Sequence, residues 1–348
     1  MLVHHLPNPP PRYRTLADFV EQQGHPPYRF RQIMHAVTRG VLEFASMSEL
    51  PRQLRDNLTA EFGSHVTTLQ PLTSQRSAHV TKTLLASPKG GRVESVRLEY
   101  AAGWTSLCLS SQVGCGLGCT FCATGTMGLV RNLGADEIID QVLLADGRPD
   151  SVAFMGMGEP LANPHTLAAI DLLTDASFLG FSPRRVTVST VGFLPGMQQL
   201  VERHPGVVLT LSVHSPFDEQ RSELIPLHHR YPLAECLDVL EEHVTVTNRR
   251  TYLAYLLIGG LNDSREHADA LAARILARER PDLFMVSLIP FNQAPGLPAE
   301  FTPPEQHTVR EFAQHLHARG VRATRRTQFG TDIDAACGQL AARHDAEI

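Results

Sequence analysis

The chain has 348 residues, 43% of them hydrophobic, with a formal net charge of −5 and six cysteines. That length buries a sizeable core without covalent staples, and six clustered thiols are too few for a secreted disulfide framework, so a reducing, cytoplasmic setting is expected. No run of eighteen apolar residues and no charged-then-apolar leader occurs, which argues against membrane spanning and export, and the net acidity argues against wholesale electrostatic binding of nucleic acid.

In chain order, residues 15–63 read as three short amphipathic helices, broken at Gly24, His25, Pro26 and Pro27 and again near Ser48 to Pro51. From His65 to about Tyr100, the runs "HVTKTLLAS" and "RVESVRLEY" alternate apolar with polar residues around "PKGGR", the pattern of a hairpin. A rhythm then sets in. The β-rich runs "TSLCLSS", "SVAFMG", "RRVTVST", "VVLTLSVHS", "TYLAYLLIG" and "LFMVSLIPF" alternate with six helical stretches, so the expected fold class is α/β, a parallel sheet curled into a full or partial (βα)6 barrel. The expected organisation is a helical accessory domain over 1–64, a hairpin linker over 65–100 and the barrel core over 101–348.

In such barrels chemistry collects where strands end. Those ends read Cys115, Cys119 and Cys122; "MGMGEP" with Glu159; "STVG"; "SVHS" with His214; "GGLND"; and "PFN" with Asn292. Three cysteines within eight residues suit a metal. A closed structural zinc site wants four ligands, and Cys236 and Cys337 stand far downstream, whereas an iron-sulfur cube held by three thiolates keeps one iron open. Zinc stays as the alternative. Arginines cluster at Arg184 and Arg185, at Arg249 and Arg250, and at Arg322, Arg325 and Arg326, which read either as a phosphate track or as solvated surface.

The spacing Cys-x-x-x-Cys-x-x-Cys with Phe121 before the last cysteine, after the first barrel strand, resembles the signature of the radical S-adenosylmethionine (radical SAM) superfamily. "GMGEP" resembles the motif with which that superfamily holds the methionine ammonium; a glycine-rich strand end admits the ligand and Glu159 supplies an anionic acceptor. "LCLSSQVGCGLGCTFCATG", "RNLGADEIIDQV", "MGMGEPLANP", "RRVTVSTVG", "LSVHSP", "LNDSREHA", "LIPFN" and "DIDAACGQL" together resemble the 23S ribosomal RNA adenine methyltransferases, RlmN for carbon 2 and Cfr for carbon 8. "AGWTSLC", "FCATGTMGL" and "RRTQFGTDI" look closer to the carbon 8 branch.

The resemblance implies an RNA methyltransferase with a 4Fe-4S cluster on Cys115, Cys119 and Cys122 and two S-adenosylmethionine molecules per turnover. It implies that Cys337 carries a methyl group, that a deoxyadenosyl radical abstracts hydrogen from it, and that the carbon radical adds to the base. Glu94 then matches the proton acceptor and Cys108 the cysteine that releases the RNA by forming a disulfide. Gly158, Glu159, Ser189, Ser212, Val213, His214 and Asn292 match the S-adenosylmethionine contacts. Without the resemblance, Cys108 reads equally as a buried strand residue, Glu94 as surface, His214 as a hydrogen-bonded core histidine and Phe121 as packing. Cys236 matches no functional position and reads as core. Expected partners are RNA, most of all 23S rRNA, and an electron-donating flavodoxin or ferredoxin, for a cytoplasmic monomer without a membrane. A radical enzyme acting on a small molecule or another RNA, and a cluster-bearing RNA-binding protein without turnover, are the competing readings.

Overall fold

The computed structural model describes residues 11–327, 329–336 and 338–340; Cys337 lies outside the described residues. Helices α1 (Pro11–Gln22), α2 (Tyr28–Thr38) and α3 (Arg52–Phe62) are the three expected at the N-terminus. Their apolar residues recur at helical spacing, so Leu16 and Val20, then Phe30, Ile33, Met34 and Val37, then Leu54 and Leu58 are buried together.

The meander that follows has one strand more than expected: β1 (Gln70–Ser77), β2 (Val80–Ala86) and β3 (Arg92–Glu99) pair antiparallel in sequence. Strand β4 (Thr105–Cys108) closes the antiparallel part and opens the parallel one. Strands β5 (Gln112–Cys115) and β6 (Gly128–Asn132) form a separate two-stranded ribbon, with the one-turn helix α4 (Ala123–Thr126) between them, so the first barrel strand does not run directly into Cys115. Helix α5 (Ala135–Leu143) leads to β7 (Ser151–Phe154), α6 (Thr166–Thr174), β8 (Val186–Thr190), α7 (Leu194–Arg203) and β9 (Val208–Ser212). Then come α8 (Asp218–Leu224), α9 (Leu233–Thr247), β10 (Thr251–Leu257), α10 (Arg265–Leu276), β11 (Phe284–Pro290), α11 (Gln306–Ala318) and β12 (Arg322–Arg325).

The large sheet has the order β1-β2-β3-β4-β7-β8-β9-β10-β11-β12, parallel from β4 onward. All six barrel strands and six covering helices therefore stand where the βα rhythm places them. The sheet curls, because Val96 and Leu98 of β3, Cys108 of β4, Ile289 of β11 and Arg326 just after β12 line one cavity. Ser77 Oγ donates to Asp332 Oδ2 (2.6 Å) and Lys82 Nζ to the Asp334 carbonyl (3.4 Å), tying the antiparallel edge to the C-terminal segment. The result is an open, partial barrel. Among the described residues no helix is long and apolar enough to cross a membrane.

Helix α5 is buried on every side, between the helical module and the sheet. Asp140 Oδ2 accepts the backbone N–H groups of Thr68 (2.6 Å) and Leu69 (2.9 Å), and Gln141 both accepts from Ser110 N and donates to Ser110 O at 2.8 Å. Through these bonds one helix fixes the entry to the sheet and the loop after Cys108.

Candidate active site

The cysteine loop is built on the β5–β6 ribbon. Gly114, with φ +73°, sits at the ribbon's bulge, and a Cβ there would overlap the Gly128 carbonyl oxygen, so only glycine lets the strands close beneath Cys115. Cys119 and Ala123 pack into an apolar cluster with Leu224, Ile225, Leu256, Ile289 and Phe291 at the carboxyl ends of the barrel strands.

Burial pushes the Cys115 thiol up to about 11 and the Cys119 thiol well above its usual range, and Cys115, Cys119 and Cys122 repel one another's ionised forms. Buried Cys119 and half-buried Cys115, with the Glu159 carboxylate adding to the repulsion, hold their protons unless a cationic group takes the protons' place. Among the described residues no three His, Cys, Asp or Glu side chains converge on a single-ion point. Three coupled thiols in one loop match the three protein ligands of an iron-sulfur cluster with one open iron, whereas a closed structural zinc site takes four. Cys236 is kept apart: fully buried on α9, its thiol donates to the Gly192 carbonyl at 3.6 Å.

Beside the loop lies a cleft enclosing about 910 Å³ of empty space, open solvent included, lined by Phe121, Cys122, Gly158, Glu159, Ser189, Ser212 and His214 among others. It thus gathers residues from four separate strand ends. Gly158 has φ +95°, and a Cβ there would stand 2.6 Å from the Gln112 Cβ. Gln112 in turn accepts the Glu159 N–H at 2.9 Å, which aims that carboxylate along the cleft wall. Glu159 accepts from Leu161 N (3.1 Å) and Val191 N (3.0 Å); burial lifts its pKa to about 7 despite those bonds. A buried carboxylate so destabilised gains most from a cation, and a ligand ammonium would supply one.

His214 holds a left-handed backbone, φ 58°, uncommon for a non-glycine residue. Its Nδ1 accepts the Leu256 N–H at 2.9 Å, burial holds its pKa down at about 3, and its ring meets Phe121 edge-on at 4.7 Å. The ring is therefore neutral, with its second nitrogen a donor. Val213, by contrast, turns into the core, its N–H bonded to Ala254 O and its carbonyl to Arg221. Its side chain is buried and both its backbone groups are already hydrogen-bonded.

A second, adjoining cleft shares Met155, Ile289, Arg326 and Leu340 with the first and is lined by Cys108 and Asn292. Glu94 lines neither. It alternates along β3 with Val96 and Leu98, which do line the second cleft, so it shares their face, and its buried carboxylate meets the buried Lys82 ammonium at 3.3 Å. The C-terminal segment closes over both spaces: Gly338 and Leu340 line the first, Ala335 and Ala336 the second. Ala123 N donates to Gly338 O (2.8 Å) and Thr124 Oγ1 to Leu340 O (3.2 Å), docking that segment on the turn after Cys122.

Two residues that carry this geometry were not evident from motifs. Arg221, fully buried on α8, donates to the carbonyls of Val191 (2.8 Å), Ser212 (3.1 Å) and Val213 (3.1 Å), stapling the loops after β8 and β9. Asn262, also fully buried, donates to His214 O and Leu256 O at 2.7 Å and accepts from Ile258 N at 2.7 Å, holding His214 in its unusual conformation. Arginine in "DEQRSEL" reads as an exposed helix residue; only the excess of buried carbonyl ends around it explains its position.

A thiol-rich loop over a cleft at the carboxyl ends of a partial parallel barrel defines a radical SAM enzyme, and the Radical SAM superfamily model matches residues 109–272. Proteins named ribosomal RNA large subunit methyltransferase Cfr are similar over nearly the whole chain: that of Shouchella clausii is 44% identical over 340 residues, 97% of this chain and 97% of its own. That of Staphylococcus aureus is 42% identical over 334 residues, 94% of this chain and 96% of its own. The crystal structure of a radical SAM methyltransferase from Sphaerobacter thermophilus matches with a TM-score of 0.87 at 37% identity, covering 94% of this chain and 97% of that one. The chain belongs to the Cfr family of radical SAM methyltransferases, which implies a 4Fe-4S cluster and S-adenosylmethionine as its cofactors.

Proposed function

We propose that this chain methylates a ring carbon of an adenosine in large-subunit ribosomal RNA, and that carbon 8 is the position modified. The observation that carries the reading is the pairing of two connected clefts, one beside the cysteine loop and one lined by Cys108, under a single C-terminal segment. Cys115, Cys119 and Cys122 would hold the 4Fe-4S cluster, which would supply one-electron reduction of S-adenosylmethionine.

This chain's own residues do the rest by binding and positioning. Glu159 takes the methionine ammonium, Gly158 leaves room for the ligand beside it, and Ser189, Ser212 and the His214 N–H offer hydrogen bonds along the same wall. Asn292 and Cys108 face the second cleft, where the adenine enters; Val213 contributes by shaping the loop and not by contact. Cys337 is the methyl carrier, a role supported by the clefts that its neighbours Ala336 and Gly338 line. Glu94 accepts the ring proton, with the Lys82 ammonium beside it to stabilise its anion between turnovers. Cys108 releases the product by attacking the Cys337 sulfur: the disulfide forms, the sulfur–methylene bond breaks, and its electron pair takes a proton to leave a methyl group on the base. The helical module over 1–64 contacts RNA, and a flavodoxin or ferredoxin supplies electrons.

Nucleoside mass spectrometry tests this. Reconstituted protein given methyl-labelled S-adenosylmethionine and ribosomal RNA transfers label to adenosine that co-migrates with the carbon 8 standard. Co-migration with the carbon 2 standard corrects the position, and label in no RNA overturns the function. Cys337→Ala abolishes transfer while the iron content stays unchanged; residual RNA methylation by that variant would overturn the covalent route.

A further inference from the structure

The barrel has a second mouth, at the opposite end from the cysteines. Ser151, Thr187, Val208 and Tyr252, each the first or second residue of its strand, line a depression of about 1340 Å³, open solvent included. Met155, Ala254 and Arg326 line both this depression and the cluster-side cleft, so the two spaces adjoin inside the barrel at the Arg326 guanidinium, 3.2 Å from the Met155 sulfur.

Two features of this mouth have no part in the chemistry derived above. First, its rim is arginine-rich although the protein is net acidic. Arg184 and Arg185 directly precede β8, Arg249 and Arg250 directly precede β10, and Arg322 begins β12. Arg185 is partly offset by Asp150 at 3.7 Å, whereas Arg184 and Arg250 are exposed and make no ion pair among the described residues. Arg184 and Arg185 end only a single 3-10 turn (Pro183–Arg185), too short to carry a helix dipole, and the others lie in the last turn of no helix, so complementing a dipole does not explain the cluster.

Second, an aromatic stack stands at the same mouth. Tyr100 and Trp104 lie face to face, 3.9 Å between centroids and 4° from parallel, and Tyr100 meets Phe329 edge-on at 5.3 Å. Tyr100 and Phe329 also line the cleft that holds Cys108, while Trp104 keeps 43% of its surface in solvent at the mouth. An aromatic ladder thus leads from solvent toward the reactive thiol. Guanidinium groups around an exposed indole face are the chemistry that holds single-stranded nucleic acid, with phosphates on the cations and a base on the ring.

We propose that the RNA substrate docks at this amino-end mouth: a single-stranded nucleotide stacks on Trp104, the flanking phosphates lie on Arg184 and Arg250, and the target adenosine reaches the second cleft through the barrel interior. The inference rests on the RNA reading of the function and adds the entry side. Trp104 is the chain's only tryptophan, so its emission reports on the site directly.

The test titrates cluster-loaded, full-length protein with a labelled RNA hairpin bearing a single-stranded adenosine loop, following label anisotropy and Trp104 emission. Binding is expected to quench Trp104, and Trp104→Ala to weaken affinity about tenfold. The double variant Arg184→Glu/Arg250→Glu is expected to weaken binding and to flatten the salt dependence by about 1.5 in log–log slope. Iron content checks that each variant is folded. Unquenched Trp104 at saturating RNA, or wild-type affinity and slope in the double variant, would overturn the docking surface even where the wild type methylates RNA. Adenosine monophosphate binding as tightly as the hairpin would overturn the assignment to a polymer. A wild type that binds no RNA removes the function itself and this site with it.

Discussion

Arg221 shows how one side chain holds the site together. Its guanidinium has no carboxylate within ion-pair range among the described residues, and it satisfies three carbonyls at the ends of β8 and β9. Its pKa falls to about 10 because burial disfavours the charge, while the thiols of Cys236 and Cys119 lie close enough to favour it. Arg221→Met leaves those carbonyls buried without donors and is expected to cost about 3 kcal/mol, read as a lower urea midpoint, with Arg221→Lys recovering part of the loss. The cysteines part company in the same way. Cys119→Ala should strip the iron and the brown colour from purified protein, whereas Cys236→Ala should keep both. Equal iron in the two variants, or stoichiometric zinc in the wild type, would contradict the cluster assignment.

At the scale of elements, α5 decides how the helical module sits on the barrel. Asp140 is wholly buried there, and burial, with Asp136 nearby, raises its pKa well above the usual carboxylate range in spite of two backbone hydrogen bonds and the neighbouring Arg12. The folded protein therefore keeps a proton on Asp140 at pH values where the unfolded chain, titrating near ~4, has lost it. Stability attributable to this group falls as pH rises through that window. Asp140→Asn retains an oxygen for both N–H donors and removes the charge, so it should be about 1 kcal/mol more stable at pH 7 and show a flatter pH profile by thermal melting. A steeper profile in the variant would show that the carboxylate is ionised and paired.

Not every element was legible from pattern. The six barrel strands were, because strands buried on both faces must be continuously apolar, and "SVAFMG" or "LFMVSLIPF" have no other use in a folded chain. β1, "QPLTSQRS", was not: it is exposed along nearly its whole length and is a strand only because β2 offers it hydrogen bonds. β12, "RATR", has the same character at the other edge. Edge strands carry little hydrophobic signal since little of them is buried.

For the whole molecule, the curl of the sheet brings its antiparallel edge to the C-terminal segment, and the buried Lys82–Glu94 pair sits at that seam. Removing one partner strands the other charge in the interior, so Lys82→Met should cost about 3–5 kcal/mol, while Lys82→Met/Glu94→Leu should recover most of it. Chemical denaturation of the two variants separates these outcomes; equal losses would mean that each side chain is held independently of the other.

The spacing of the thiols, the glycine before Glu159 and the alternation of strands and helices are local facts. They follow from backbone sterics, ligand spacing and the need to hide apolar surface, so the fold class and the cluster loop were readable along the chain. The connection of two clefts, the carbonyls gathered on Arg221, the burial of Val213 and the arginine rim at the far mouth depend on residues tens to hundreds of positions apart. Their meeting depends on how the sheet curls, and curvature is set by the packing of many side chains together, which no single stretch of sequence encodes.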